Sequence, residues 1–207
     1  MIKITGSTRQ TFAFPADVPT ASAFYGDFSL ILNHLPHIHL IKAYGGNQYR
    51  VMYHTVELNV YRVRIVCDLQ VNYDQHTQTL HVTPLLTKPS IKAEATVQSL
   101  TAQGYFTSQS IFRANGEQCM VDYRLSLEAR LPKPFGLMLM PDRVTQQIAQ
   151  NITEWRIHEI ANGFIKRSIK EFREQLVQAQ GEVGLKGIAA RPEWRPVVVG
   201  PRPRLSR

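Results

Sequence analysis

The sequence predicts an α+β fold, a curved antiparallel sheet wrapped around one long C-terminal helix, with two short helices after the first strand. Three observations point there. In NVYRVRIVCDLQVNY, Tyr61, Val63, Ile65, Cys67, Leu69, Val71 and Tyr73 fall on one face; Arg62, Arg64, Asp68, Gln70 and Asn72 fall on the other, with Val66 the only apolar intruder. Alternate side chains leave a strand on opposite faces, so this sheet is wet on one side and covered on the other. Further alternating runs follow one another through short turns, as antiparallel neighbours do. Residues 142–179 carry helical periodicity and supply the cover.

In chain order, residues 9–14 (RQTFAF) read as a short first strand. Pro19 suits the first turn of a helix. Phe24, Phe28, Ile31, Leu32 and Leu35 then recur at three- and four-residue spacing until Pro36. Gly26-Asp27 interrupts this run, and Asp27 is a good N-cap, so the stretch reads as two short helices. Residues 38–44 lead into Gly45-Gly46-Asn47, a hairpin signal, after which Tyr49, Val51 and Tyr53 alternate with Gln48, Arg50, Met52 and His54. The long strand from Val60 turns at Asp74-Gln75-His76 into a strand with Leu80 and Val82. Residues 86–99 carry no clear pattern. Tyr105–Arg113 and Gln118–Arg130 form a hairpin in which Cys119, Val121, Tyr123, Leu125 and Leu127 are in phase.

The helix carries two apolar faces. Val144, Ile148, Ile152 and Trp155 share one; Ile157, Ala161, Phe164, Ile165, Phe172 and Leu176 share another. Asn162-Gly163 lies near the change-over and is expected to permit a bend. The expectation is a packed C-terminal half and an N-terminal half over the mouth of a cavity.

A chain of 207 residues suits one core, placed here at 1–180. Residues 181–207 hold six arginines and lysines against two glutamates, half of the net charge of +8, among four glycines and four prolines. Such a segment buries too little to offset its ordering entropy and reads as a disordered basic tail. It is suited to peripheral contact with anionic membrane, to RNA, or simply to solubility. No run approaches the length of a membrane-spanning helix, and MIKITGSTRQTFAFP lacks a secretory apolar core, so a cytoplasmic location is expected. Cys67 and Cys119 sit in phase with apolar faces and read as buried structural thiols.

The order of elements, with FSLILNHLPHI, GNQYRVMYHTVELNVYRVRIVCDLQV and the final helix, resembles the START-like helix-grip superfamily of lipid-transfer, pollen-allergen and polyketide-cyclase proteins. Within it the likeness over residues 9–179 is to a cyanobacterial and plastid family of unknown function. The resemblance implies an apolar ligand between sheet and helix. It brings no catalytic residues with it.

Candidate chemistry follows from the faces. Tyr61, Val63, Ile65, Leu69, Tyr123 and Leu125, with Ile152 and Trp155, would wall a pocket for a hydrophobic small molecule such as a lipid, isoprenoid or pigment. The same residues would equally fill a solid core, and periodicity does not separate the two. The tyrosines favour an amphipathic ligand, because a buried phenol needs a partner. Glu154 and His158, with Asn151, could form an acid–base set for a cyclase or hydrolase, but an exposed i,i+4 polar pair is the commoner arrangement. His34, His37 and His39 invite a metal, yet Pro36 breaks their geometry and no carboxylate or cysteine stands nearby in sequence. No metal, cofactor or catalytic residue is therefore assigned. Arg50, Arg62, Arg64 and Arg124 alternate with Asp68, Asp122 and Glu128 on the wet face without aromatics between them, which disfavours nucleic acid.

Overall fold

A computed structural model describes residues 1–57, 61–88 and 90–183, with side chains to residue 178. The basic stretch 184–207 lies outside the described residues. The chain divides into two compact units, Met1–Arg173 and Glu174–Arg207. In the second, the described part is the last turns of the C-terminal helix, where Leu176 and Val177 are exposed.

The first unit holds the whole sheet. Its strands are β1 (Ile2–Phe14), β2 (Ile38–Gly45), β3 (Gln48–Glu57), β4 (Tyr61–Asp74), β5 (Thr79–Pro84), β6 (Glu94–Ala95), β7 (Ser99–Asn115) and β8 (Gln118–Leu131). Their order across the sheet is β1-β8-β7-β5-β4-β3-β2, with β6 paired to β7. One pairing departs from the antiparallel expectation: β4 and β7 run parallel over Arg62–Val66 and Ser99–Gln103. Strand β5 is antiparallel to both, so the two must be parallel to each other. They meet beyond the end of β5 at Pro84.

Two short helices follow β1. Asp17 caps α1 (Val18–Gly26), accepting from the Thr20 N–H, and Pro19 occupies its first turn. Asp27 caps α2 (Phe28–Leu32), accepting from the Leu30 N–H. Helix α3 (Asp142–Val183) runs beyond the expected end near 179.

The first strand is longer than residues 9–14 suggest. Its early half buries Ile2 and Ile4 and then turns to a small residue against α3: a Cβ on Gly6 would lie 3.1 Å from Ile157 Cδ1 and 3.2 Å from Thr153 Cγ2. Gly163, expected to bend α3, has a different reason to be glycine. The helix is continuous there, and a Cβ would collide with Pro36 Cγ.

The C-terminal half of α3 within this unit packs solidly. Phe172 lies 4.6 Å from Phe14, ring to ring, Phe164 lies 5.7 Å from Tyr25, and the Tyr25 hydroxyl shares a 3.0 Å hydrogen bond with Ser168 Oγ. Cys67 and Cys119 are buried and free; burial pushes the Cys67 thiol up to about 12, so it stays protonated. On the outer face Arg50 pairs across strands with Asp68 at 2.8 Å as expected, whereas the cross-strand partner of Asp122 is Arg9 at 2.7 Å, a residue outside the expected set.

Candidate functional site

The helix row Thr145, Ile148, Ala149, Ile152, Arg156 and Ile160 advances by three and four residues, so it keeps one side of α3 toward the sheet. Opposite it stand Ile2 and Ile4 of β1 and the alternating residues Tyr61, Val63 and Ile65 of β4. The two surfaces do not close on each other. They enclose a largely apolar cavity of about 280 Å³, close to the lower end of the usual range for ligand pockets, about 300 Å³. Deeper in the sheet lies a void of about 30 Å³, lined by Leu69, Leu125 and Phe106. Tyr53, Leu127, Ile157 and Ile160 border both spaces.

The expected pocket residues divide accordingly. Tyr61, Val63, Ile65 and Ile152 line the larger cavity; Leu69 and Leu125 reach only the inner void. Two are elsewhere. Tyr123 is enclosed in the solid half of the core, its ring tilted 36° to that of Phe164 with centroids 5.1 Å apart. Trp155 is 59% exposed, its ring 4.3 Å from the Arg156 guanidinium. It is Arg156 that turns inward, and its neighbour lies ~100° away around the helix. Tyr61 is a wall residue with its hydrogen bond already made, donating 3.0 Å to the Ser99 carbonyl.

A polar cluster sits in this apolar wall. Arg156 Nε donates to Glu57 Oε1 at 2.9 Å and Nη2 to Glu57 Oε2 at 3.2 Å, while Nη1 donates to Glu159 Oε2 at 2.6 Å. His37 Nε2 approaches Glu159 Oε1 at 3.4 Å. The Arg156 and Glu57 side chains are only 16% and 14% exposed. Burial works against the guanidinium charge, but the carboxylates outweigh it and hold Arg156 above its ordinary value. Burial likewise pushes Glu159 up, and the hydrogen bonds from Arg156 and His37 bring it below the usual carboxylate range. Beside this cluster the buried Tyr53 hydroxyl has no hydrogen-bond partner; Thr55 neighbours it without completing a bond. Burial first, and the Glu57 charge second, raise the phenol, so it is neutral. The sequence carries a signal for this cluster. Arg156 interrupts the row Ile152–Ile160, and Glu57 continues the phase of Tyr53 and Thr55 along β3.

Glu154 and His158 lie outside the cavity. They belong to a row of five residues, spaced by four along α3, that follows the edge of β1. Gln146 bonds the N–H and C=O of Lys3, and Gln150 those of Thr5. Glu154 accepts from Gln150, His158 Nδ1 lies 3.2 Å from Thr8 Oγ1, and Asn162 accepts from Gln10. Asn151 is off this row and accepts from Gln147. The three clustered histidines occupy separate surroundings. His34 is buried against Phe24, His37 has φ 63° and faces Glu159, and His39 is exposed. Among the described residues no group of three or more ligating side chains could hold a metal ion.

No family model and no curated protein matches the chain. Solved structures do. The Zhui aromatase/cyclase from Streptomyces sp. R1128 is 11% identical, over 83% of this chain and 96% of that one, with a TM-score of 0.52. A conserved protein from Geobacillus kaustophilus is 12% identical over 83% and 96%, TM-score 0.49. Norcoclaurine synthase from Thalictrum flavum is 9% identical over 83% and 88%, TM-score 0.47. At such identities a likeness speaks for architecture alone. A large curved sheet with a long C-terminal helix against it gives this chain the helix-grip fold.

Proposed function

We propose that this protein binds and carries a neutral amphipathic small molecule, of lipid, isoprenoid or pigment type, in the cavity between the sheet and α3. The observation that carries the reading is the buried, unpartnered Tyr53 hydroxyl in a largely apolar wall, whose charged members, Arg156 and Glu57, are paired with each other. Leaving a buried hydroxyl unsatisfied costs about 1–3 kcal/mol, which a ligand hydroxyl or carbonyl would recover. The ligand's polar end is expected to be uncharged. Three of the five Arg156 N–H donors are committed to Glu57 and Glu159, so a carboxylate head would meet two carboxylates around a guanidinium whose charge they already balance. The likeness to the cyanobacterial and plastid family rests on the sequence blocks and adds no ligand.

Displacement of an environment-sensitive fluorophore tests the reading, using a long-chain alcohol, the matching carboxylate and the matching amine. The alcohol should displace it best, and Tyr53→Phe should weaken alcohol binding about tenfold, the equivalent of one net hydrogen bond. Carboxylate binding as tight as alcohol binding would overturn the chemical class. A Tyr53→Phe protein with unchanged affinity would remove the anchor. Turnover of a bound compound that disappears in Tyr53→Phe would instead favour a cyclase- or hydrolase-type enzyme in the same cavity.

A further inference from the structure

Between Lys133 and Asp142 the chain has no polar side chain: Pro134, Phe135, Gly136, Leu137, Met138, Leu139, Met140 and Pro141 link β8 to α3. Connecting segments are ordinarily polar, and a run of exposed apolar residues in one is a cost unless something uses it. Here Leu139 is 103% exposed, Met138 58% and Phe135 52%. A 3-10 turn at Phe135–Leu137 helps to shape the segment, and the half-buried Lys133 ammonium holds it from beneath. Lys133 Nζ donates to the Met140 carbonyl at 2.6 Å, to the Met138 carbonyl at 3.5 Å and to the Asp142 carboxylate at 2.7 Å. The backbone is thus tied inward while three large apolar side chains are displayed outward.

We infer that this segment is a membrane-docking loop that inserts Phe135, Met138 and Leu139 into the surface of an anionic bilayer. Two things select a bilayer over a protein groove. Exposed Arg130 and Arg143 flank the apolar run, and neither has an ion-pair partner among the described residues, so each is available to lipid phosphate. Along α3, Val144 and Trp155 are eleven residues apart, about three turns, and so share one exposed flank. Tryptophan at such a margin suits the headgroup layer. No described helix is long and apolar enough to cross a membrane, so the contact is peripheral. The loop also forms part of the cavity wall through Pro134, Gly136 and Leu137. Docking would therefore set the cavity wall against the lipid, although the docking itself does not depend on what the cavity holds.

Sedimentation of the full chain with vesicles of about three parts phosphatidylcholine to one part phosphatidylserine tests this. The wild-type protein should bind, and Met138→Asp/Leu139→Asp should bind at least about tenfold more weakly while melting at the same temperature. Leu139→Trp should show a blue-shifted emission on binding, quenched by brominated lipid. Equal sedimentation of the Asp variant and the wild type would overturn the inference, placing any membrane contact elsewhere, such as the basic C-terminal stretch. So would a wild-type protein that ignores the vesicles but self-associates through this loop, with the Asp variant monomeric. Retention of a small molecule, measured separately, is expected to be unaffected by Met138→Asp/Leu139→Asp, so the two proposals fail independently.

Discussion

Gln150 of α3 and Thr5 of β1 form a two-way amide pair. Gln150 Nε2 donates to the Thr5 carbonyl at 2.7 Å, and the Thr5 N–H donates back to Gln150 Oε1 at 3.3 Å. Gln146 repeats the arrangement with Lys3. Four helical residues rise ~6 Å and two strand residues ~6.7 Å, so an i,i+4 pair of glutamines matches the i,i+2 period of a strand edge. The helix thereby supplies what a ninth strand would, and the open edge of β1 is covered rather than left as a template for pairing.

Replacing both glutamines by alanine should therefore expose that edge. The Lys3 and Thr5 amides are expected to exchange with deuterium much faster than in the wild type, and stability should fall by about 1–3 kcal/mol for the lost bonds. Unchanged protection at both amides would show that the pairs do not cover the edge in solution.

Gly163→Ala sets two effects against each other. Alanine in a helix interior gains about 0.5–1 kcal/mol over glycine, but the new methyl collides with the Pro36 ring. Overpacking of this kind costs about 1–3 kcal/mol. Net destabilisation is expected in chemical denaturation; a stabilised variant would mean that the α2–β2 corner yields.

Arg156→Met should weaken a pH dependence. In the wild type the Glu159 carboxyl lies below its unfolded value, ~4.3, so its contribution is present above that pH and is lost as pH falls through the depressed folded value. Without Arg156 only His37 still opposes burial, so the depression of the carboxyl should shrink and less stability should be lost as pH falls through the folded value. Glu57, left buried without its partner, adds a loss of about 3–5 kcal/mol near neutral pH. Denaturation midpoints at mildly acid and neutral pH check both the sign and the size.

Trp155→Ala should leave ligand retention unchanged and cost no more than about 1 kcal/mol, the worth of an exposed cation–π contact with Arg156. Ile157→Ala, at a side chain bordering both cavity and void, should cost about 2–5 kcal/mol. A large loss at Trp155 would contradict its assignment to the surface.

The two-periodicities of sheet and helix were legible because each repeats over many residues. The long β4, the Asp27 cap and the long α3 are found where the sequence puts them, although Val66 and Asp68 on the face expected to be wet are buried as well. What was not legible depends on partners distant in the chain. In β1 the buried Ile2 and Ile4 give way to small and polar residues where Gly6 meets Ile157 and Thr8 meets His158. Gly163 reads as a hinge until Pro36 is placed against it. The pocket assignment failed at Tyr123 and Trp155 for a related reason: period alone does not say where along a strand the cavity gives way to solid packing, nor how the helix is rotated. Arg156 and Glu57 break or extend an apolar phase in the sequence, and that irregularity marked the site better than the regular positions did.

The most direct test of the carrier reading is native mass spectrometry of the protein purified from its own host, followed by solvent extraction, for the wild type and Val63→Trp. The expected result is a stoichiometric, uncharged, mainly apolar molecule released from the wild type and absent from a folded Val63→Trp protein, whose indole would occupy the cavity beside Tyr61 and Ile65. A folded Val63→Trp protein that carries the same molecule in the same amount would contradict it.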